Sequence, residues 1–431
     1  MKRYTLLAII LFVAASASAQ SLYDLSARNV EPARPRFIPY NNMAGAIQGD
    51  PMRSRFVASI EEIVRSEEGS VTTFTTSYVY PVEWLNRQII LRVGYASAAY
   101  KVFVNGNEVA YVPTGVMGAE VNITNASQEG VNEVVIKLDK ASPANKLYES
   151  KEIKLEQVEI FSQPTIRMRD FNVSVTLNAQ GDGVAEFAIP VKCNALNRKE
   201  ARLHYALKLN DTTLLAEGYR EIALDMRRED TVRFACVVPA KTLWSSASPT
   251  LLRLELESRV DERLVECYSK NVGLRQTLHD KGKFYVNNAE VALNLVEWEE
   301  IKSLEKAKKK GYNGIVITLD RGAYEVIEEC AKLGLYVVVR TPIDTTLLGE
   351  DIKRGGNPSN DPLWNESYLW RNTHSLNSTK NNCAIIGYEI AKGKTSGLNI
   401  YDSYVLLKSL MPNHLIIYEG AAGEWATDIS R

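Results

Sequence analysis

Beyond Arg275, apolar runs of strand length alternate with amphipathic runs of helical length, and this alternation constrains the fold more than any other feature of the sequence. Because repeated strand–helix units produce a parallel sheet, the order of the runs predicts an incomplete (β/α)8 barrel, or TIM barrel, over residues 276–431. Residues 342–382 are expected to be a long irregular segment. The predicted strands are 291–296, 314–318, 335–340, 384–389 and 414–418, and the predicted helices are 298–310, 324–333 and 401–410.

The part of the chain before the barrel carries short alternating runs separated by Gly, Asn and Pro. This pattern is typical of β sandwiches and divides into two regions. Residues 20–162 form the first predicted β domain, and residues 163–275 have the strand spacing of a second, immunoglobulin-like sandwich. The chain is therefore expected to be multidomain, with β domains followed by an α/β domain.

A hairpin is the most specific local prediction in the first β domain. Strong strands at 88–93 and 99–104 lead into the Asn105-Gly106 dipeptide, and a return strand follows at 108–112. Asn-Gly favours a two-residue hairpin turn, so these segments are expected to pair.

Residues 1–19 have the pattern of a cleavable signal peptide. Lys2 and Arg3 give a positive start, residues 6–13 are apolar, and Ala17-Ser18-Ala19 provides small residues for cleavage. The pattern predicts a periplasmic or secreted protein. No later stretch approaches the roughly 20 apolar residues that a membrane-spanning helix needs.

The charge balance excludes one large class of partners. The chain has 51 Lys and Arg residues against 52 Asp and Glu residues, and its formal net charge is −1. Because long runs of one sign are absent from the sequence, no surface for nucleic acid or anionic lipid is expected.

The cysteines and histidines give no pattern for a metal or a cofactor, and none is expected. The cysteines lack CxxC spacing and are predicted to be free core residues, with Cys193 and Cys236 the pair to join if a disulfide forms. The residues concerned are Cys193, Cys236, Cys267, Cys330 and Cys383, and His204, His279, His374 and His414.

Glu389 is the first candidate functional residue, because it ends the apolar strand predicted at 384–389. A carboxylate at the carboxyl edge of a parallel barrel sheet lies where barrel enzymes keep catalytic acids. The alternative is a surface glutamate that follows a core strand. The strand alone does not decide between them.

The chain resembles glycoside hydrolase family 2, the β-galactosidase and β-glucuronidase family. In the first domain the resemblance lies in Pro81, Trp84, Ala98 to Val104, the turn Asn105-Gly106-Asn107, Ala119 to Thr124, and Glu129 to Asn132. These segments are similar to the jelly-roll sugar-binding domain of that family. In the barrel, residues 284–288, 309–313 and 418–420 resemble family segments in the same order.

The resemblance implies carbohydrate as the ligand and retaining hydrolysis of O-glycosyl bonds as the activity. Retaining glycosidases use an acid/base carboxyl group and a nucleophilic carboxylate about 5 Å apart. Gly387-Tyr388-Glu389 matches the family segment that ends in the acid/base residue, which assigns that position to Glu389. Tyr388 stands where the family has an asparagine that contacts the sugar, so Tyr388 is a candidate substrate-binding residue.

Several departures from the family indicate a degraded active site. Val316 and Leu319 replace the family's arginine and histidine, and residues 339–342 replace a polar "DEAN" segment. The family nucleophile follows the seventh barrel strand, whereas Arg431 follows the fifth, so the expectation is a barrel truncated before the nucleophile. Glu419 is the candidate for a second carboxylate.

Trp364 and Trp370 complete the set of candidate substrate-binding residues, since both lie in the long segment before the fourth strand. Aromatic side chains in barrel loops can stack on a sugar ring. Packing in the core or in a lid is the alternative for both.

Two functions remain open at this point. One is a secreted family 2-type β-glycosidase with a degraded, truncated site, and the other is a non-catalytic carbohydrate-binding or assembly protein on the same scaffold. In addition, the outer strands of an incomplete barrel, near Val291 and Ile416, are open edges that favour pairing with another chain or self-association.

Overall fold

The computed structural model describes residues 25–150, 152–280, 282–349, 353–421 and 425–429. The predicted signal peptide, residues 1–19, lies outside these ranges. Within them, no helix combines the length and the apolar character that crossing a bilayer requires.

An N-terminal segment, which contains helix α1 (Met43–Gln48), ties the two β domains together. Val30 forms an isolated bridge with Val121 of the first domain, and Tyr40 forms one with Cys267 of the second.

In its described residues, the first β domain contains eight strands in two sheets. The strands are β1 (Val64–Glu68), β2 (Val71–Tyr80), β3 (Gln88–Ala96), β4 (Tyr100–Val104), β5 (Asn107–Val112), β6 (Ala119–Asn122), β7 (Gly130–Asp139) and β8 (Leu155–Gln163). One sheet has the order β1-β2-β7-β4-β5 and the other β6-β3-β8. Alternating side chains of β2 and β7 are buried, and a shared apolar core that includes Phe74, Leu91 and Val134 joins the sheets.

The predicted hairpin is confirmed. Val104 pairs with Asn107, so Asn105 and Gly106 form the two-residue turn. Both have positive φ, 50° and 80°, which is the backbone geometry that favours Asn-Gly.

The second β domain also has two sheets. Its strands are β9 (Ile166–Met168), β10 (Asn172–Leu177), β11 (Gly183–Cys193), β12 (Lys199–Lys208), β13 (Leu214–Leu224), β14 (Glu229–Val238), β15 (Leu252–Val260) and β16 (Arg263–Val272). The orders are β10-β11-β14, with β9 on β11, and β13-β12-β15-β16. An aromatic stack crosses between the sheets, because Phe234 of β14 stacks on Tyr205 of β12 with ring centroids 3.6 Å apart. The jelly-roll and immunoglobulin-like assignments of the two domains stay predictions, as do the exact domain boundaries.

A small three-stranded sheet, β17 (Thr277–Asp280), β18 (Lys283–Val286) and β19 (Ala289–Glu290), follows the second domain. The chain then enters a parallel sheet with strands in sequential order. These are β20 (Leu295–Glu297), β21 (Gly314–Thr318), β22 (Tyr336–Arg340), β23 (Ile385–Glu389) and β24 (Leu415–Ile417). The middle strands are almost continuously apolar and buried, as expected for a parallel sheet covered on both faces.

The helices of this region are α2 (Trp298–Ile301), α3 (Leu304–Lys309), α4 (Ala323–Leu333), α5 (Asn365–Thr379) and α6 (Leu398–Leu410). The single helix predicted at 298–310 is wrong, because Lys302 adopts a left-handed conformation with φ of 45° and divides it into α2 and α3. The first strand is also shorter than the predicted 291–296.

The prediction of a long irregular segment at 342–382 is wrong in its second half, where α5 lies. This helix is rich in Asn, Ser and Thr, which compete with the backbone for hydrogen bonds and have low helix propensity. Here their hydroxyls bond back within the helix: Thr373 donates to the Leu369 carbonyl at 2.6 Å and Ser378 to the His374 carbonyl at 2.8 Å. Burial against the neighbouring domains then stabilises a helix that local propensity does not favour.

All five cysteines are free, which confirms the prediction of free cysteines, and the pair Cys193–Cys236, suggested only for the case that a disulfide forms, is not joined. Four of them are buried, and Cys236 is half-buried. The pairing of β11 with β14 keeps these two cysteines apart. Cys236 on β14 lies opposite Ala185, near one end of β11, and Cys193 is at the other end of β11.

Candidate functional site at the strand ends

The carboxyl ends of the parallel strands bring three charged side chains together. Glu297 ends β20, Arg340 ends β22 and Glu389 ends β23. Arg340 and Glu389 occupy paired positions on adjacent strands. Since all five strands run in the same direction, these residues meet at one edge of the sheet.

Arg340 forms ion pairs with both carboxylates. Its Nη1 and Nη2 donate to the two oxygens of Glu297 at 3.0 and 2.9 Å, and Nη2 also lies 3.0 Å from Oε2 of Glu389. The Glu389 side chain is 1% exposed, the Arg340 side chain 6% and the Glu297 side chain 27%. Solvent therefore reaches the charged cluster at Glu297, whereas Glu389 is shielded from it.

The electrostatics of the cluster favour the charged guanidinium. Burial alone would lower the pKa of Arg340, but the carboxylates of Glu389 and Glu297 raise it above its ordinary value. An arginine between two carboxylates in a site of low dielectric holds both of them by charge-assisted hydrogen bonds.

A cavity of about 280 Å³ lies above this cluster, and we call it the strand-end cavity. Arg340 and Thr341 line one side, and a loop of the first β domain, residues 143–150, lines another. Among the described residues, the lining consists of Tyr148, Glu149, Ser150, Glu299, Thr318, Arg340, Thr341, Ile343, Asp344, Leu347 and Lys392. The cavity is thus completed by two domains.

The loop at 143–150 is fixed to the barrel by its backbone. The Asp344 N–H donates to the Leu147 carbonyl at 2.7 Å. Arg371 of α5 is fully buried and donates to the carbonyls of Ala144, at 2.8 Å, and Pro342, at 2.9 Å. One guanidinium therefore joins the loop to the segment that follows β22.

Tyr148 presents an aromatic side chain to the cavity from this loop. Its hydroxyl donates to Oδ2 of Asp320 at 2.5 Å. Burial and the adjacent Asp320 carboxylate both raise the pKa of Tyr148, so the hydroxyl remains a donor at neutral pH. The hydrogen bond fixes the orientation of the ring.

Of the residues predicted from the sequence, Glu389 lies in the charged cluster below the cavity. Glu419 begins a short 3-10 helix after β24 and is exposed, and its carboxylate lies 3.3 Å from the Lys394 ammonium group. The role of Glu419 as a second carboxylate stays a prediction.

The other three predicted residues do not line the strand-end cavity. Tyr388 is fully buried, and its hydroxyl lies 3.2 Å from Oγ1 of Thr379 on α5. Trp364 packs in the core shared by the barrel and its helices. Trp370 is partly buried between that core and the first β domain, with its ring centroid 4.8 Å from that of His374. All three occupy packing positions in this structure.

Sequence reasoning missed Glu297 and Tyr148. Glu297 carries the same signal as Glu389, a glutamate directly after an apolar strand, and a search of every barrel strand for such a residue would have found it. Tyr148 carries no local signal, since it belongs to a different domain and reaches the cavity only through the fold.

A larger cavity of about 460 Å³ lies elsewhere, between the two β domains and helices α4 and α5. Its lining includes Arg34, Arg92 and His374 but none of the charged cluster at the strand ends. Interdomain ion pairs border it, among them Arg321–Glu156 and Lys270–Glu328. We place the candidate site at the smaller cavity because it lies at the carboxyl ends of the parallel strands.

No metal centre is evident in the described parts of the chain, since they contain no group of three or more His, Cys, Asp and Glu side chains arranged to hold an ion.

Comparison with known proteins agrees with this architecture. The model of the family described as glycosyl hydrolases family 2, TIM barrel domain, matches residues 320–430. The beta-galactosidase of Priestia megaterium is 24% identical over 379 residues, which cover 81% of this chain and 36% of that protein. The beta-galactosidase of Alteromonas mediterranea is 24% identical over 393 residues, covering 85% of this chain and 37% of that protein.

Among solved structures, Bacteroides uniformis beta-glucuronidase 2 covalently bound to cyclophellitol-6-carboxylate aziridine superposes with a TM-score of 0.67 at 16% identity. The match covers 81% of this chain and 46% of that one, and it shows a shared fold. The chain spans little more than a third of the length of the two curated relatives. The resemblance predicted from the sequence is confirmed: this chain is a glycosyl hydrolase family 2-like protein with mostly β domains and a TIM barrel domain.

Proposed function

We propose that this chain binds carbohydrate at the strand-end cavity and that Glu389 does not act as a catalytic acid there. The relatives are beta-galactosidases and a beta-glucuronidase, which supports a sugar as the ligand. The cavity lies at the edge of the sheet where barrel proteins bind their ligands.

The observation that carries the proposal is the ion pair between Arg340 and Glu389. A general acid must hold a proton and reach the leaving oxygen of the substrate. In this structure Oε2 of Glu389 lies 3.0 Å from Nη2 of Arg340, and Glu389 is not among the residues that line the cavity. Burial of the Glu389 side chain also keeps it from the cavity.

A retaining glycosidase is the second candidate, and one observation favours it. Nη2 of Arg340 contacts oxygens of both Glu297 and Glu389, so these oxygens are no farther apart than the sum of 2.9 and 3.0 Å. Retaining enzymes keep their two carboxyl groups about 5 Å apart. Catalysis by this pair would require Arg340 to move away from both carboxylates.

The test is hydrolysis of aryl β-galactoside and aryl β-glucuronide by purified protein, together with a glycan-array measurement. Our proposal predicts glycan retention without turnover by the unmodified protein. Turnover that is lost in Glu389→Gln, and equally in Glu297→Gln, would establish the glycosidase instead. An activity that survives both changes does not depend on this pair of carboxylates, and a parallel purification without the expressed protein would show whether a contaminating enzyme causes it.

We also propose export to the periplasm or the extracellular space, supported by the signal-peptide pattern of residues 1–19. Fractionation of expressing cells tests this, with removal of those residues as the control. Self-association through the outer strands β20 and β24 is a separate proposal, and the molar mass of the purified protein in solution would decide it.

A further inference from the structure

We infer that two hydrogen-bonded pairs of side chains close the strand-end cavity on one side and thereby restrict its ligand to the terminal sugar of a glycan. The pairs separate it from the cavity of about 460 Å³ between the β domains and helices α4 and α5, which we call the interdomain cavity. This inference rests on the proposed carbohydrate binding and adds the part of the glycan that the site recognises. Tyr148 is the main residue that determines this selectivity.

The two cavities lie on opposite sides of the same contacts. Tyr148 and Ser150 line the strand-end cavity, whereas Asp320 and Tyr95 line the interdomain cavity. The Tyr148 hydroxyl donates to Oδ2 of Asp320 at 2.5 Å, and Oγ of Ser150 lies 2.9 Å from the Tyr95 hydroxyl oxygen. Each pair therefore has one member in the lining of either cavity. We call these four residues the partition.

The partition is held on its barrel side by Asp320. This residue follows β21, and its Oδ1 accepts the Arg321 backbone N–H at 2.6 Å, so both carboxylate oxygens are engaged. Arg321 in turn donates from Nε to the carboxylate of Glu156 on β8 at 2.8 Å, which joins the barrel to the first β domain beside the partition. A ligand therefore meets a preformed wall, and little ordering of side chains opposes its binding.

The space on the strand-end side of the partition suits a terminal sugar. Its volume of about 280 Å³ lies at the small end of ligand pockets. The ring of Tyr148 provides an aromatic face on which apolar C–H groups of a sugar pack. Thr318 and Thr341 provide hydroxyl groups for hydrogen bonds to the sugar.

The sugars that follow the terminal one do not continue into the interdomain cavity, because the partition stands in that direction. They leave at the rim of the strand-end cavity, where the side chains of Glu299 and Lys392 are about half exposed. Contacts at such a rim remain in water and add little to the affinity. The affinity for a glycan should therefore depend on its terminal sugar and hardly on its length.

The test begins with the unmodified protein on an array of β-1,4-linked galactose, glucose and glucuronic acid glycans. Each series is attached through its reducing end in lengths of one, two and four sugars, and calorimetric titration with the free glycans of the retained series gives the affinities. We expect the affinities for two and four sugars to agree within about twofold, since the additional sugars lie outside the cavity.

Tyr148→Ala opens the partition and separates its two effects. Loss of the aromatic face should weaken binding of one sugar several-fold. The preference for four sugars over one should increase at least about fivefold, because the longer glycan then reaches the interdomain cavity and buries more of its surface. A merely structural role of Tyr148 would weaken all lengths by the same factor.

Two further variants complete the experiment. Tyr148→Leu does not reach Asp320 but keeps an apolar side chain, so it should shift the length preference in the same direction if Tyr148→Ala does not fold. Tyr219→Ala removes an exposed tyrosine from β13 of the second β domain and is the matched control. It should leave the affinities for all lengths unchanged.

The outcomes separate this inference from the proposed function. An affinity of the unmodified protein that rises steadily from one to four sugars overturns the inference but leaves carbohydrate binding intact. An unchanged length preference in a folded Tyr148 variant does the same. Binding that Tyr219→Ala weakens as much as Tyr148→Ala places the ligand outside the strand-end cavity and also overturns the inference. Absence of binding to every glycan on the array overturns the proposed function, and this inference with it.

Discussion

Arg340 and Glu389 occupy paired positions at the ends of two adjacent parallel strands, with Nη2 and Oε2 3.0 Å apart and both side chains almost fully buried. The same nitrogen lies 2.9 Å from Glu297, two strands from β22. One guanidinium therefore joins three strand ends of the barrel sheet. A cluster of this kind stabilises the fold only while all of its members are present.

Arg340→Met should destabilise the protein strongly. The change leaves Glu389 buried with its principal opposite charge removed, and breaking a buried ion pair from one side typically costs about 3–5 kcal/mol. Denaturation in urea, followed by tryptophan fluorescence, measures the free energy of unfolding. The double variant Arg340→Met with Glu389→Met should recover a large part of the loss, because it removes the unpaired charge.

The matched control is Arg321→Met, which breaks the more exposed pair between the barrel and Glu156 of β8. Exposed pairs contribute little to stability, because water and salt screen them. Equal losses for Arg321→Met and Arg340→Met would contradict the special role of the strand-end cluster.

Arg371→Lys should release the loop at 143–150 from the barrel. Lysine has a single ammonium group and does not reproduce the fork that reaches Ala144 and Pro342 together. The loss of one charge-assisted hydrogen bond predicts a decrease of about 1.5–3 kcal/mol in the free energy of unfolding. Limited proteolysis with trypsin should show faster cleavage after Lys146, an exposed residue of this loop.

Arg65→Lys on the exposed strand β1 is the control for this change, since its side chain is 48% exposed. Unchanged cleavage after Lys146 in Arg371→Lys would show that other contacts hold the loop.

The sequence predicts those parts of the fold that depend on local pattern. The Asn105-Gly106 turn and the strand Gly314–Thr318 are found as expected, because turn geometry and a buried apolar run are decided within a few residues. Helix α5 is not predicted, because its polar composition argues against a helix locally. Its burial against other domains is a long-range effect that the local sequence does not show.

The site shows the same division. Glu389 was identified from its strand, but the arginine that holds it was recognised only as a departure from the family. The register of β22 and β23 places Arg340 opposite Glu389, where the two form an ion pair. No local sequence pattern encodes this register. Tyr148 lies 172 positions from its partner Asp320, and only the packing of two domains brings them together.

His374 should make stability depend on pH in the acidic range. Burial lowers its pKa from 6.5 to about 4, an effect only partly offset by a hydrogen bond to the Gly118 backbone. Between these two values the unfolded chain binds a proton that the folded protein excludes. The stabilisation is therefore complete above pH 6.5 and is lost as the pH falls toward 4, by an amount on the order of 3 kcal/mol.

The difference between the protein and its His374→Gln variant isolates this contribution. His414, whose pKa burial lowers to about 3, acts in the same direction in both proteins. Urea midpoints measured at pH 7, 6 and 5 should fall more steeply for the unmodified protein than for the variant. Parallel pH profiles of the unmodified protein and the variant would contradict the prediction.

Gly273→Ala should weaken the packing of the second β domain on the barrel. A Cβ atom at this position would lie 2.7 Å from the Cβ atom of Cys383 and 3.0 Å from Cδ1 of Trp244, both of which are buried. Trp244 is itself fixed, because its indole N–H donates to the Ala331 carbonyl at 2.8 Å. Overpacking of such a site costs about 1–3 kcal/mol, and a lower thermal midpoint in calorimetry would measure it. An unchanged midpoint would contradict the prediction. It would mean that the two domains move apart enough to accept a methyl group, with Trp244 losing its hydrogen bond or its contact with Tyr336.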